Sequence, residues 1–257
     1  MENTYNKAKE IVESLQSIFL DDKNDFSSIR NVFITGSFVR GDWLNMSSDL
    51  DIQVLFYQNS LPDIQEKEIF KLQKIIEYKF GNPPFPSHAM YTQFGLDWSL
   101  NDYLPYDTKD IMDISPFSLY NIFYFDFFRN RKLIYGDDFT HLLPKEIDVK
   151  QLVKPAIDYF LGRITQENMD NHEIKSAHIV YKVAIILQIY FGEKTLDKWK
   201  ILYLYLQNVP EFSLKYVGEM IIRNYIGSYY PDRKPLFFKN QIYIDYVKAV
   251  RSLLENN

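Results

Sequence analysis

Apolar residues recur at helical spacing over residues 5–20, YNKAKEIVESLQSIFL, at Ala8, Ile11, Val12, Leu15, Ile18 and Phe19, and an Asp/Asn-rich loop follows. The spacing predicts a helix and then a turn. Two short apolar runs come next, at 31–35 and 49–56, joined by a link that holds Gly36, Ser37, Gly41, Asn45, Ser47 and Ser48. That pattern reads as strand, turn-rich link, strand. After Pro62, apolar positions at Ile64, Ile69, Leu72, Ile75 and Ile76 predict a second helix, closed by Gly81. Residues 89–100 alternate, with Met90, Phe94, Leu96, Trp98 and Leu100 against Tyr91, Gln93, Gly95, Asp97 and Ser99. This is a third strand with Asp97 on its polar face. The next segment is less regular and reads as a helix from about Ser118 to Arg131, then a turn at Gly136.

Beyond Pro144 the strand signals fade. Helical patterns run over roughly 149–166, 172–192, 195–207, 211–226 and 239–255, with Pro231 and Pro235 marking a loop before the last. The expected fold class is α+β: a mixed sheet with flanking helices over residues 1–145, followed by an all-α helical bundle over 146–257.

Composition narrows the function. The 257 residues contain no cysteine, which removes disulfides, thiolate zinc sites and cysteine nucleophiles together. None of the four histidines stands four residues from another, so a zinc site is not expected. The net charge of −5 argues against a surface that tracks nucleic acid, which needs concentrated Lys and Arg. There is no basic start with an apolar run behind it and no stretch of about 18 apolar residues, so the expectation is a soluble, cytoplasmic protein without membrane contact. No phosphate-binding Gly-rich lysine loop, dinucleotide fingerprint or Gly-x-Ser-x-Gly elbow is present.

The chemistry concentrates in FITGSFVRGDWLNMSSDLDIQVLF, residues 33–56. In a strand Asp49, Asp51 and Gln53 share one face and Leu50, Ile52 and Val54 the other. Two carboxylates side by side repel, and a cation between them relieves the repulsion. Asp97 on the third strand would add a third carboxylate; Asp102, Asp107 and Asp113 compete for that role. Oxygen-only ligation of this kind suits Mg²⁺, and two such ions would serve phosphoryl transfer. Bare backbone at Gly36 can approach a phosphate, and the Ser37 hydroxyl with neighbouring amides can donate to it. Arg40 either meets phosphate or pairs with Asp42. Lys175 and Lys182, seven apart, share a helix face that is either solvated or within reach of a triphosphate.

The run Gly36-Ser37, Arg40-Gly41, Ser48-Asp49-Leu50-Asp51 resembles the nucleotidyltransferases of the DNA polymerase β superfamily, especially the minimal nucleotidyltransferase form, and with a helical second half the layout is similar to the aminoglycoside nucleotidyltransferases. The resemblance covers about residues 30–100. It implies Mg²⁺-dependent transfer of a nucleoside monophosphate from ATP or another NTP to a hydroxyl, with release of pyrophosphate. Asp49, Asp51 and Asp97 would hold the metal and act in catalysis, and Gly36, Ser37, Arg40, Ser48, Lys175 and Lys182 would bind nucleotide. A small-molecule acceptor is expected. The alternative is an antitoxin-like or regulatory nucleotide-binding protein acting on a helical partner protein, or a homodimer.

Overall fold

The N-terminal helix α1, Thr4–Leu20, buries Ala8, Ile11, Val12, Leu15, Ile18 and Phe19, the face that its sequence spacing marks. It packs on a sheet built from β1 (Ile29–Ile34), β2 (Leu50–Phe56), β3 (Met90–Gly95) and β4 (Lys132–Tyr135). A short helix, α2 (Gly36–Arg40), joins β1 to β2, and α3 (Pro62–Phe80) joins β2 to β3. In this computed structural model the described residues are 4–43, 48, 50–57, 62–81, 90–95, 129–138, 149–166, 172–192, 197–227, 236 and 238–256. Those up to 138 and those from 149 onward belong to two compact units.

The strand order is β3-β2-β1-β4, with β1 antiparallel to both β2 and β4 and β2 parallel to β3. A parallel pair needs a crossover, and α3 supplies it. Register decides the faces. Val32 lies opposite Val54 and Ile34 opposite Ile52, and these side chains are buried with Leu50 and Phe56 against α1 and α3, where Ile69, Leu72 and Ile76 close the core. The alternate positions form the other face. Phe33 lies opposite Gln53, and Asn31, Phe33 and Gln53 are all buried there.

Two elements differ from the sequence expectation. The link after β1 begins as helix α2 rather than as a turn throughout, and KLIY at 132–135 is an edge strand where the sequence suggested the end of a helix and a turn. Asn31 Nδ2 donates to the Asp137 carbonyl at 2.8 Å, pinning β1 to the chain that leaves β4. The expected helix near 118–131 lies almost wholly outside the described residues.

In the second unit α4 (Val149–Gln166), α5 (His172–Phe191), α6 (Ile201–Asn208), α7 (Lys215–Gly227) and α8 (Asn240–Glu255) form an all-helical bundle. Helix α5 is its axis: Val180, Val183, Ala184, Ile185, Ile186, Leu187 and Ile189 are buried, and α4, α6, α7 and α8 all contact it. A helix apolar on every side is a core helix. Helix α6 starts later than the expected 195, because Asp197 forms a turn, accepting the Trp199 amide at its side chain and the Lys200 and Ile201 amides at its carbonyl. Among the described residues no helix is long and apolar enough to cross a membrane.

The bundle also has a polar centre. Tyr246 donates its hydroxyl to Tyr205 at 3.1 Å, and Tyr205 donates to the Lys215 carbonyl at 2.9 Å. Burial pushes both phenols above their ordinary range. Gly218 lies against them: a Cβ there would sit 2.2 Å from the Tyr246 ring and 2.6 Å from the Tyr205 hydroxyl.

Candidate active site

The site is built where β1 ends and β2 begins. One step past the Ile34–Ile52 pair, the Thr35 amide donates to the Asp51 carbonyl at 3.1 Å. The chain then turns through Gly36 at φ +69°, a conformation that L side chains rarely adopt. Here the glycine has a second reason. A Cβ on Gly36 would lie 1.7 Å from Asp51 Oδ2 and 2.8 Å from its Cγ, so the space a side chain would need belongs to the Asp51 carboxylate.

Helix α2 ends at Gly41, φ +82°, whose amide donates to the Ser37 carbonyl at 3.1 Å; the Asp42 amide donates to the same oxygen at 3.2 Å. This is the left-handed glycine stop of a longer helix applied to a very short one. Arg40 Nε pairs with Asp42 Oδ1 at 3.2 Å, and Asp42 is 1% exposed. Aromatic contacts fasten the outer side: Tyr5 of α1 stacks on Phe38 at 5.3 Å, Phe38 meets the edge of Trp43 at 6.0 Å, and the Trp43 indole donates to the Thr4 hydroxyl at 3.3 Å. The Gly-Ser turn is thus held by the sheet on one side and α1 on the other.

Within this frame Ser37 is 2% exposed, and its hydroxyl has no hydrogen-bond partner among the described residues. A buried hydroxyl left without a partner costs about 1–3 kcal/mol, and such groups are uncommon in folded proteins. Beside it stand the Gly36 cradle and the half-buried Asp51 carboxylate. An unpaired donor, bare backbone and a hard oxygen ligand are the chemistry that a metal-bound triphosphate requires, so the residues fit such a group.

The structure brings together Gly36, Ser37 and Asp51 of the expected set. Arg40 pairs with Asp42, one of its two sequence readings, and the partner is interior rather than on the surface. Ser48 is buried two residues ahead of β2. Lys175 and Lys182 lie on α5 of the helical unit, Lys182 half-buried. Asp49 and Asp97 fall outside the described residues, as do Asp102, Asp107 and Asp113. Register nevertheless adds a constraint: on β3 the residue level with Asp51 is Tyr91, and Gly95 is level with Leu55. Gly95 therefore stands four residues beyond Asp51 along the sheet, about 13 Å at strand rise. Among the described residues no three acids or histidines cluster as a metal site.

Sequence reasoning missed Thr35, the burial of Asp42 and the buried role of Gln53. The signal for the first two was present. TGSFVRGD reads as a threonine at a helix start, one turn of chain and a closing glycine.

Residues 8–84 match the family model described as a nucleotidyltransferase domain. No curated protein sequence matches the chain. Among solved structures, the chain is similar to the spectinomycin adenyltransferase AAD(9) from Enterococcus faecialis, determined with ATP and spectinomycin, at a TM-score of 0.62 and 13% identity, over 96% of this chain and 99% of that one. At that identity the likeness is one of fold, and it extends through the helical half. The domain match falls on the elements that carry Gly36, Ser37 and Asp51, so this N-terminal stretch of the chain is similar to a nucleotidyltransferase domain.

Proposed function

We propose that the protein transfers a nucleoside monophosphate from ATP to a hydroxyl of a small-molecule acceptor, in a Mg²⁺-dependent reaction that releases pyrophosphate. The observation that carries this reading is the buried, unpartnered Ser37 hydroxyl beside the Asp51 carboxylate on a glycine that cannot bear a side chain. ATP as donor and a small acceptor are supported by the ATP and spectinomycin of the similar structure. The net charge of −5 suits a small, cationic acceptor better than a polyanion.

In this reading the Gly36 backbone admits the triphosphate closely, and Ser37 donates to one of its terminal oxygens. Ser48 and Arg40 add nucleotide contacts from the same unit. Asp49 and Asp51 would hold the magnesium, with the third carboxylate supplied by Asp97 or by one of its competitors Asp102, Asp107 and Asp113. Magnesium, when bound, neutralises the triphosphate and acidifies the acceptor hydroxyl. The hydroxyl oxygen forms its bond to the α-phosphorus as the α–β bridging bond breaks; the hydroxyl proton passes to a carboxylate, and pyrophosphate leaves with the bond electrons.

The test is incubation with Mg²⁺, labelled ATP and a panel of aminoglycosides and metabolites. An acceptor that gains the mass of a nucleotide, with the gain lost in Asp51→Asn, is the expected result. Unchanged turnover in Asp51→Asn would refute the mechanism. For the third acid, Asp97→Asn should weaken the thermal stabilisation by Mg²⁺ with ATP, and Asp113→Asn should leave it alone; the reverse outcome would reassign the role.

A further inference from the structure

Gln53 stands two residues after Asp51 on the same face of β2, opposite Phe33, and is 5% exposed. Its Nε2 donates to the Thr35 hydroxyl at 3.3 Å. Thr35 occupies the position just ahead of α2 with extended backbone, φ −132° and ψ −163°. From there a threonine hydroxyl ordinarily turns onto the helix and accepts an amide two or three residues on. Thr35 makes no such bond. Its oxygen is committed to Gln53.

We propose that Gln53 is a positioning residue for the nucleotide seat: by engaging the Thr35 hydroxyl it keeps that oxygen off the first amides of α2, leaving the Gly36–Ser37 turn open to phosphate. The inference rests on the reading of that turn as the triphosphate seat, and adds to it a residue outside the Gly-Ser and Asp-x-Asp pattern. Three observations converge. A threonine with cap-competent backbone does not cap, a buried amide accounts for its oxygen, and the Ser37 hydroxyl next to it is buried without a partner. A capping hydroxyl and a phosphate oxygen compete for the same donors. Without the Gln53 N–H, the Thr35 oxygen is free to turn inward, giving a more ordinary helix start and a poorer phosphate seat.

The experiment measures MgATP affinity and melting temperature of the full chain. Gln53→Met keeps the length and apolar volume and removes the donor; it should weaken MgATP binding about tenfold, the worth of roughly one hydrogen bond in a competition for donors, with little change in melting temperature because a gained cap offsets the lost contact. Adding Thr35→Val to Gln53→Met removes the competing hydroxyl and should recover most of the affinity. Thr35→Val alone should lower the melting temperature while leaving affinity within about twofold, and Thr35→Ser should behave like wild type. A double variant weaker than Gln53→Met, or wild-type affinity in Gln53→Met, would overturn the inference. Should Gln53→Met not fold, a tenfold loss of affinity in Thr35→Val would do the same. Asp51→Asn separates the two levels: if it loses MgATP and Gln53→Met does not, only the positioning role fails, whereas wild-type affinity in Asp51→Asn refutes the seat itself.

Discussion

Gly36 in the sheet unit and Gly218 in the helical unit are the same steric event with opposite chemistry. Each leaves room where a Cβ would collide, with the Asp51 carboxylate in the first case and with Tyr246 and Tyr205 in the second. Around Gly218 the polar groups close on one another, Tyr246 to Tyr205 and Tyr205 to the Lys215 carbonyl, and Lys215 itself reaches Val209 and Glu211. Around Gly36 they do not close, because the Ser37 hydroxyl has no partner among the described residues. A completed buried network specifies packing, and one with an open donor is held for something else. The polar groups around Gly218 are spent on one another, and beside Gly36 the Ser37 hydroxyl is kept in reserve.

The largest expected effect breaks the reserve. Gly36→Ala pushes a methyl into Asp51 and forces a non-glycine residue to φ +69°. Displacing the carboxylate by about 1 Å should cost roughly a hundredfold in transfer rate, read in the labelled-ATP assay. Gly218→Ala is the counterpart. Overpacking against two buried tyrosines should cost about 1–3 kcal/mol in a denaturant titration while MgATP affinity stays at the wild-type value.

A matched pair of smaller changes sharpens the contrast. Ser37→Ala removes a group with no partner, so stability should hold or rise by up to about 1 kcal/mol, while MgATP affinity falls about tenfold. Tyr246→Phe removes a bonded hydroxyl and should cost about 1 kcal/mol without touching nucleotide binding. If both lost stability equally, Ser37 would be an ordinary packed serine.

The smallest effect concerns acid. His178 stacks on Tyr225 at 5.4 Å, and desolvation, with Lys182 and Arg163 adding, pushes its pKa from 6.5 down to about 3. The folded state keeps the ring neutral while the unfolded chain protonates it, so this contribution is intact above pH 6.5 and is lost as pH falls towards 3. Because the residue is also exposed to solvent, screening should hold the loss below about 1 kcal/mol at pH 5. His178→Gln should flatten that part of the stability profile.

The legible parts of the molecule are those with a period. Helix α1, strand β2 and the long helices of the bundle repeat their apolar positions often enough for 3.6 or 2.0 to show, and Asp51 falls on the predicted face for the same reason. Helix α2 is five residues long, less than two turns, so no period can emerge. Strand β4 has four residues of mixed burial after the basic RNRK, and its pairing partner β1 lies about a hundred residues earlier. Strand character there comes from tertiary pairing, not from the segment. The Gln53–Thr35 contact was hidden differently. Alternation puts Gln53 on the polar face, yet no rule of spacing says that a polar face is buried or that a hydroxyl points away from the helix it precedes.

The late arrival of β4 has a consequence for synthesis. All described residues of the Gly36–Asp51 seat come from one continuous stretch, residues 29–56, whereas the outer edge of β1 stays open until residues 132–135 have been made. At typical ribosomal speeds of about 5–20 residues per second that interval is roughly 5–20 s. For that time the nascent chain presents a strand, IRNVFI, paired with β2 on one edge and open on the other, the kind of edge that recruits other chains. The Asn31 bond to the Asp137 carbonyl then closes that edge. A chain truncated before residue 132 is expected to scatter light at concentrations where the whole protein stays clear.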